Sequence, residues 1–326
     1  MSVEVSVVLC TRDPRPAELE RTLAGLAAQT LARARWELVL VDNGSTPPVE
    51  GRFDLARLPA RVVREPRAGK IHAILAGLAV ARAEVIVTLD DDNVLGPAYL
   101  ERALEALERH PFVGVAVGRV VAEYGAPPPA WVLRHAAHLA VHDLGEAPLY
   151  ALLPGYEGIR CAGAGMVLRR AVLRRWQERL SGDARHLLFQ RTAESLMGGS
   201  DLDIACTAFE CGLARAYFPG LELRHLIPAA RLEAGYFLRL VRANTTAGEL
   251  VLLLHDASPR WAPKPLWKRA MRPLRELVLA AMALAAREMT WMDWRIDLAR
   301  RRGTAAAQAL FRERYARPLA ALPVTP

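Results

Sequence analysis

Short apolar runs alternate with amphipathic segments over most of the chain before residue 230. Apolar runs rich in β-branched residues predict strands, whereas leucine or isoleucine recurring every three or four positions predicts helices. Strands are predicted at residues 3–9, 36–41, 60–64, 85–89 and 113–121, and helices at 16–29, 69–81 and 97–109. This order predicts an α/β fold with a Rossmann-like, mostly parallel sheet that is flanked by helices on both faces.

The pattern is less regular after residue 121. Residues 124–131 are rich in proline and predict a loop over the sheet. Residues 160–170 place glycine and alanine before a strand-like run, where small residues allow either close approach of a ligand or a tight sheet crossing. Further elements are predicted as a helix from 198, a strand and loop at 215–219 and 221–225, and apolar helices at 232–254 and 273–286. The chain therefore divides into an α/β domain, 1–230, and a helical C-terminal extension, 231–326.

Three adjacent acids end one of the predicted strands. In EVIVTLDDDNV, the residues Asp90, Asp91 and Asp92 follow directly on the apolar run. Such close like charges repel one another, and open α/β sheets bind ligands at the carboxyl ends of their strands, so the cluster indicates a divalent cation that carries a diphosphate. Asp and Asn also cap helices, so Asp92 or Asn93 could instead cap the helix that follows.

Other acids have both a structural and a functional interpretation. Asp42 begins DNGS, a strong turn sequence, yet it also follows a predicted parallel strand. Asp201 and Asp203 open a predicted helix after two glycines. Acids at this position either cap the helix or act as a general base that takes a proton from a hydroxyl group.

Composition indicates a folded cytoplasmic protein. Hydrophobic residues make up 52% of the 326 residues and charged residues 24%, which excludes wholesale disorder. The four cysteines form no CxxC pair, and neither a leader peptide nor a run of ~18 apolar residues is evident. We therefore expect reduced thiols and a cytoplasmic location.

Charge and missing motifs narrow the class of partner. The net charge is +8, but the arginines are scattered, so we expect no nucleic acid partner; an anionic nucleotide or an anionic lipid surface suits this charge. A GxGxxG motif does not follow the first strand, and a Walker loop is absent from the sequence. These absences disfavour a dinucleotide-dependent oxidoreductase and a P-loop enzyme.

Six segments, in this order and at these distances, resemble the family 2 glycosyltransferases of the GT-A fold. They are VSVVLCTRD, LVLVDNGS, GKIHAILAGLAVA, VIVTLDDDN, GAGMVLRR and GGSDLDIACTAFECG, all within residues 3–230. The resemblance implies a GT-A fold and the inverting transfer of a sugar from a nucleotide-diphosphate sugar, with a UDP-sugar expected, to an acceptor hydroxyl. The acceptor would be a glycan, a lipid-linked molecule or a small molecule in polysaccharide, glycolipid or other glycoconjugate biosynthesis.

The resemblance also implies roles for single residues. Asp92 would ligate Mn²⁺ or Mg²⁺, and His225 would add a contact to the metal or the diphosphate. Asp201 would be the catalytic base. Contacts to the nucleotide sugar would come from Thr11, Asp42, Lys70, Asp90 and Asp91.

The chain departs from the family pattern beside two of these positions. Ser200 stands where the family usually has Glu, and Ile74 and Leu75 stand where it commonly has an Arg-Asn pair, so a donor contact is lost or is taken by Lys70. These departures keep open a catalytically degenerate GT-A interaction module. The other alternative is a sugar-nucleotide pyrophosphorylase-like nucleotidyltransferase, which requires a glycine-rich loop after the first strand, and TRDPRP has no glycine.

The C-terminal extension lies largely outside the resemblance. Trp291, Trp294 and the basic cluster 300–302 follow its apolar helices. Such helices lie in a membrane interface or pack against other protein. Packing on the catalytic domain or in a homo-oligomer and peripheral contact with the inner face of the cell membrane are therefore alternatives.

Overall fold

The computed structural model describes residues 2–152, 158, 159, 161, 163–189, 196–255 and 289–311. The helix predicted at 273–286 lies outside these residues. The strands are β1 (Val5–Thr11), β2 (Trp36–Asp42), β3 (Ala60–Arg64), β4 (Val85–Asp90), β5 (Asn93–Leu95), β6 (Val113–Tyr124), β7 (Leu149–Ala151), β8 (Met166–Arg169) and β9 (Ala214–Ile227). The helices are α1 (Pro16–Ala27), α2 (Lys70–Val80), α3 (Tyr99–Arg109), α4 (Ala130–Arg134), α5 (Arg170–Gly182), α6 (Ser200–Glu210), α7 (Ala234–Leu254) and α8 (Trp291–Leu310).

All these strands join one mixed sheet in the order β3-β2-β1-β4-β8-β6-β9-β5, and β7 pairs with β9. The pairs formed by β1 with β2, β1 with β4, β2 with β3 and β6 with β9 are parallel. β8 lies antiparallel between β4 and β6. The predicted α/β sheet is present, and the antiparallel strand at its centre is a feature that local sequence periodicity does not reveal.

Two predicted segments are longer or more ordered than expected. The strand and loop predicted at 215–225 form one continuous strand, β9, whose register with β6 shifts between Gly118 and Val120. A Cβ on Gly118 would lie 1.6 Å from the carbonyl oxygen of Leu221, so glycine is required where the two backbones meet. The predicted loop at 124–131 is helical from Ala130, because α4 begins there.

The core lies in two layers, one on each face of the sheet. Side chains of a strand alternate between faces. Val7 and Leu9 of β1 pack with residues of α1 and α3, whereas Val8 packs with residues of α2, α5 and α6. The helices therefore cover both faces and leave the edge at the carboxyl ends of β1, β2 and β4 available for a site.

The described part of the C-terminal extension packs against the sheet domain. Phe237 and Val241 of α7 share a buried cluster with Ile296 of α8, with Val132 of α4 and with Ile227 at the end of β9. None of the helices in the described ranges is both long enough and apolar enough to cross a membrane. The described part of the extension thus packs beside the sheet, at the end of β9.

Gly303 allows α8 to approach α7 closely, because it has no side chain at the crossing. A Cβ at this position would lie 2.6 Å from the carbonyl oxygen of Arg242 and 2.8 Å from the Cβ of Thr245. We expect Gly303→Ala to lower the free energy of unfolding by about 1–3 kcal/mol, because the two helices must separate. Chemical denaturation measures this change.

Gly182, at the end of α5, provides the matched control, because a Cβ there meets no atom within 4 Å. Gly182→Ala is expected to leave stability unchanged or to raise it by about 0.4–1 kcal/mol. If Gly303→Ala were as stable as Gly182→Ala, the close crossing of α7 and α8 would be wrong.

Candidate functional site

A cleft of about 920 Å³ opens where β1 and β4 end. The two strands are parallel neighbours, so their last residues, Thr11 and Asp90, lie at the same edge of the sheet. The first turn of α6 and one face each of α7 and α8 form the other walls. The sequence-predicted residues that line the cleft are Thr11, Lys70, Asp90, Asp91, Asp92, Asp201 and His225.

The first two acids of the triple aspartate have different partners. Asp90 forms an ion pair with Lys70, whose Nζ lies 2.8 Å from Oδ1 and 3.1 Å from Oδ2. Asp91 accepts a hydrogen bond from the hydroxyl group of Thr11. Burial raises the pKa of Asp91 to about 7, and the charges of Asp92 and Asp90 act in the same direction against the Thr11 hydrogen bond.

Asp92 is buried among positively charged or ionisable groups. Its Oδ2 atom lies 3.2 Å from the Arg231 guanidinium and 3.5 Å from Nε2 of His225, and its Oδ1 atom accepts a hydrogen bond from Asn93. Burial alone would raise the pKa of Asp92, but the hydrogen bond to His225 and the charges of His225 and Arg231 outweigh it and lower the pKa to about 2. Asp92 is therefore ionised in the cleft at neutral pH.

Asp201 is the second carboxylate near the ammonium group of Lys70. Its Oδ2 atom accepts a hydrogen bond of 2.9 Å from the Gly163 backbone N–H, and its Oδ1 atom lies 3.7 Å from Nζ of Lys70. Burial would lower the pKa of Lys70, but Asp201 and Asp90 raise it well above its ordinary value. The ammonium group thus stays charged between the two carboxylates.

Gly163 explains the small residues that precede β8. A Cβ on Gly163 would lie 2.5 Å from the carboxylate of Asp201. Glycine at this position therefore makes room for a side chain of the same protein. The sequence suggested that the small residues at 160–170 allow either the approach of a ligand or a tight sheet crossing. The contact between Gly163 and Asp201 is neither of these.

Asp42 lies beneath the loop beside the cleft. Its side chain is buried, and it accepts hydrogen bonds from the backbone N–H groups of Ser45 at 2.8 Å and Val49 at 3.2 Å. Burial would raise its pKa, but these hydrogen bonds lower it. The next residue, Asn43, lines the cleft, and its Oδ1 atom accepts a hydrogen bond from the Gly69 N–H. The predicted nucleotide contact of Asp42 stays a prediction.

Sequence reasoning missed Arg231, which lies in the short turn after β9. Its guanidinium group is 3.3 Å from Nε2 of His225 and contacts Asp92. The residue stands six positions after His225, across Pro228, in RHLIPAAR. The sequence does not show that the chain turns back after Pro228 and brings Arg231 to His225. The positive charge of Arg231 was the only feature that could have indicated its place in the site.

Asp92 and His225 can supply two donors to one cation only if Arg231 moves, because its guanidinium group lies 3.2 Å from Oδ2 of Asp92 and 3.3 Å from Nε2 of His225. A cation with ligands at about 2.1 Å holds neighbouring donors roughly 3.0–3.5 Å apart, and Oδ2 and Nε2 are 3.5 Å apart. Within the described residues, no group of three or more His, Cys, Asp or Glu side chains could hold a metal ion. Diphosphate oxygens and water would therefore complete the coordination, as is usual for Mg²⁺.

The two acids of α6 have separate environments. The carboxylate of Asp203 is fully buried, with Nε1 of Trp176 at 2.7 Å, Nδ1 of His186 at 2.9 Å and Nε2 of His255 at 2.9 Å. Burial would raise the pKa of Asp203, but the hydrogen bonds to the two histidines lower it to about 2. Asp201 alone of the pair lines the cleft, and its role as general base stays a prediction.

Replacing Asp203 is expected to destabilise the protein without touching the cleft. Asp203→Ala leaves His186, His255 and the Trp176 N–H without their acceptor, and loss of one partner from a buried charged network costs about 3–5 kcal/mol. Urea denaturation measures the loss, and Asp54→Ala on the exposed surface is the matched control. Equal stability of the two variants would contradict the network.

The lowered pKa of Asp203 also predicts how the free energy of unfolding changes at acidic pH. Its pKa in the folded state lies below the unfolded value of 3.8, so its contribution is complete above that value and is lost as pH falls through about 2. We expect the free energy of unfolding to decrease over this interval less steeply in Asp203→Ala than in wild type. Parallel curves for the two proteins would contradict the assignment.

Comparison with known protein families identifies one that matches half of the chain. The sequence model of glycosyl transferase family 2 matches residues 6–176. An uncharacterized protein of Sinorhizobium fredii, y4gI, is 33% identical over 112 residues, which are 33% of this chain and 12% of that protein. An uncharacterized glycosyltransferase of Bacillus subtilis, YwdF, is 28% identical over 112 residues, which are 34% of this chain and 41% of that protein.

A solved structure shares the fold. The crystal structure of S. aureus TarS matches with a TM-score of 0.50 and 14% sequence identity, over 95% of this chain and 55% of that chain. The matched regions thus span well under two thirds of these relatives. Together with the family match, the similarity confirms the predicted GT-A fold.

Proposed function

The chain belongs to glycosyl transferase family 2, and from this premise we propose that it transfers a sugar from a nucleotide-diphosphate sugar to an acceptor hydroxyl, with inversion at the anomeric carbon. One observation carries the proposal: a single cleft is lined by Asp92, beside positive groups, and by Asp201 on another element. The reaction needs both, because the leaving diphosphate gains negative charge while the attacking hydroxyl loses a proton.

The donor is proposed to lie along the ends of β1 and β4. Thr11, Asp90 and Asp91 would contact the nucleotide and its ribose, and Lys70 would reach a phosphate oxygen. This is supported by their position in one cleft and by the charged ammonium of Lys70. Asp42 would act beneath them, since it fixes the loop that brings Asn43 to the cleft.

Mn²⁺ or Mg²⁺ is the proposed cofactor, held by Asp92 and His225. When bound, the cation supplies charge neutralisation for the leaving nucleoside diphosphate. Arg231 contacts the same Oδ2 atom of Asp92 and would leave this atom when the cation binds. Its guanidinium group would bind oxygens of the same diphosphate, because arginine pairs well with phosphate.

Asp201 is proposed to take the proton from the acceptor hydroxyl. The Gly163 N–H holds one carboxylate oxygen and Lys70 faces the other, so the side chain is oriented and its negative charge is stabilised. Its place in the first turn of α6 adds the favourable field of the helix N-terminus. Ser200 in place of the family's usual Glu is compatible with this role, since Gly163 and Lys70 supply the orientation.

The proposed setting is the cytoplasm, with a UDP-sugar as donor and a glycan, lipid-linked or small-molecule acceptor. The free cysteines Cys10, Cys161, Cys206 and Cys211 support a reducing compartment. Peripheral membrane contact or self-association through the extension stays part of the proposal.

A panel of UDP-, GDP- and dTDP-sugars tests the proposed function. We expect one nucleotide class to stabilise the purified protein in thermal melts, and its sugar donor to release nucleoside diphosphate only with Mn²⁺ or Mg²⁺ present. Formation of nucleoside triphosphate from pyrophosphate and the donor would instead indicate a pyrophosphorylase. Nucleotide binding without turnover would indicate a degenerate interaction module. The absence of both binding and turnover would contradict the proposal.

A further inference from the structure

One face of α7 forms a long wall of the cleft opposite the triple aspartate. The residues of this face recur every four positions, from Tyr236 through Leu240, Asn244 and Gly248 to Leu252, and all line the cleft. At 1.5 Å per residue the stripe is roughly 24 Å long. The cleft therefore extends well beyond the residues assigned to the donor, and the extension builds the additional part.

The stripe passes beside the helix that carries the proposed base. A Cβ on Gly248 of the stripe would lie 3.9 Å from Cδ2 of Leu202, in the first turn of α6. A molecule held along α7 would consequently lie beside the first turn of α6. That is where a hydroxyl must lie if Asp201 is to take its proton.

Arg300 of α8 is the cationic residue on this side of the cleft. Its Nε and Nη2 atoms lie 3.2 Å and 3.0 Å from Nε2 of His138, which also lines the cleft. Asn244 donates to the backbone carbonyl of His138. Arg300 is thus held in place by a turn that is itself bonded to α7.

The charge of Arg300 is not neutralised by a carboxylate in the part of the chain that the structure describes. Its neighbour Arg301 differs, because it pairs with Asp297 at 2.6 Å. A guanidinium group has five N–H donors, and the contacts with His138 use those on Nε and Nη2. The remaining donors, on a side chain that lines a cleft, fit an anionic ligand.

The wall formed by α7 and α8 also contributes polar groups. Asn244 and Thr245 of α7 and Thr304 of α8 line the cleft, as does Glu249, one turn further along α7. Amide and hydroxyl groups of this kind suit a hydroxylated ligand. The donor side, in contrast, already has Lys70 and Arg231 as its cations.

We propose that Arg300, held by His138, is the anion-binding residue of an acceptor subsite on α7 and α8. The acceptor is a hydroxylated molecule that carries a phosphate or carboxylate group. The inference rests on the proposed function, because an acceptor site has meaning only in a transferase.

Binding of matched probes in the presence of saturating nucleoside diphosphate tests this subsite. The probes are glucose 6-phosphate, glucuronate and glucose, and calorimetry measures their affinity for wild type, Arg300→Gln, Arg300→Lys and Arg302→Gln. We expect wild type to bind at least one anionic probe about tenfold or more tightly than glucose, as a hydrogen bond to a charged group provides. The preferred anion distinguishes phosphate from carboxylate.

In Arg300→Gln, the affinity for the anionic probe relative to glucose is expected to fall about tenfold. Arg300→Lys is expected to keep part of this preference, because the positive charge remains. Arg302→Gln is the matched control, since Arg302 is the exposed neighbour in the same basic cluster. Equal affinity for all three probes, or no binding of either anion by wild type, would overturn the subsite. Failure of every protein to bind any nucleoside diphosphate would instead overturn the proposed function.

Discussion

Asp201→Asn is expected to lower the rate of sugar transfer by about 10²–10⁴-fold, the usual contribution of a general base. The amide keeps the shape of the side chain, and its oxygen can still accept the hydrogen bond from the Gly163 N–H. It cannot take a proton from the acceptor. Steady-state kinetics with saturating donor measures the loss.

The same variant must keep its donor site. The triple aspartate and its partners Thr11 and Arg231 do not contact Asp201 directly, so nucleoside diphosphate affinity should change only a few-fold. Lys70 loses one of its two carboxylate neighbours and keeps Asp90 at 2.8 Å. Full turnover by purified Asp201→Asn would refute the base assignment.

Asp92→Asn is expected to lower kcat/KM by about 10²–10⁴-fold, because the cation and the leaving diphosphate lose several kcal/mol of electrostatic stabilisation. The neutral amide cannot balance Arg231 and His225, which lie 3.2 and 3.5 Å from its carboxylate in the wild type. Calorimetric titration with Mn²⁺ should show weaker cation binding in the variant, and kinetics should show the loss of rate.

Asp54→Asn is the control for replacement of a carboxylate, because Asp54 is exposed. It should leave both Mn²⁺ affinity and rate unchanged. Circular dichroism verifies that Asp92→Asn remains folded, since it breaks a buried charged contact. Wild-type affinity for Mn²⁺ in a folded Asp92→Asn protein would show that the cation binds elsewhere.

The sequence is sufficient to locate the strands and the acids that follow them. Apolar runs such as residues 85–89 have a local signature, and the carboxyl ends of parallel strands share one edge whatever the details of packing. Thr11 and Asp90 to Asp92 could therefore be placed together before the structure was known. Asp42 was placed at the same edge, and its alternative role in the DNGS turn is confirmed by the hydrogen bonds that it accepts from Ser45 and Val49.

The remaining features depend on contacts between distant parts of the chain. β8 enters the sheet antiparallel between β4 and β6, and strand direction leaves no mark on the local pattern. Arg231 and Arg300 resemble many other arginines in the sequence until the fold brings each to the cleft. Likewise, Asp203 is buried and Asp201 lines the cleft because of the residues that pack on α6, including Trp176 and His255.

The triple aspartate remains the centre of this account, although its members now have different partners. Asp90 pairs with Lys70, Asp91 accepts from Thr11, and Asp92 is held with His225 and Arg231. Transfer of the sugar in a single displacement requires two separate roles. The groups around the triple aspartate would stabilise charge on the donor, and Asp201 would remove the proton of the acceptor.

The anomeric configuration of the first product shows whether the sugar is transferred in a single displacement. Proton NMR during turnover of an α-linked nucleotide-diphosphate sugar distinguishes the two anomers by their coupling constants. A single displacement with Asp201 as base predicts a β-linked product. An α-linked product would contradict it, because retention requires a different mechanism at the anomeric carbon.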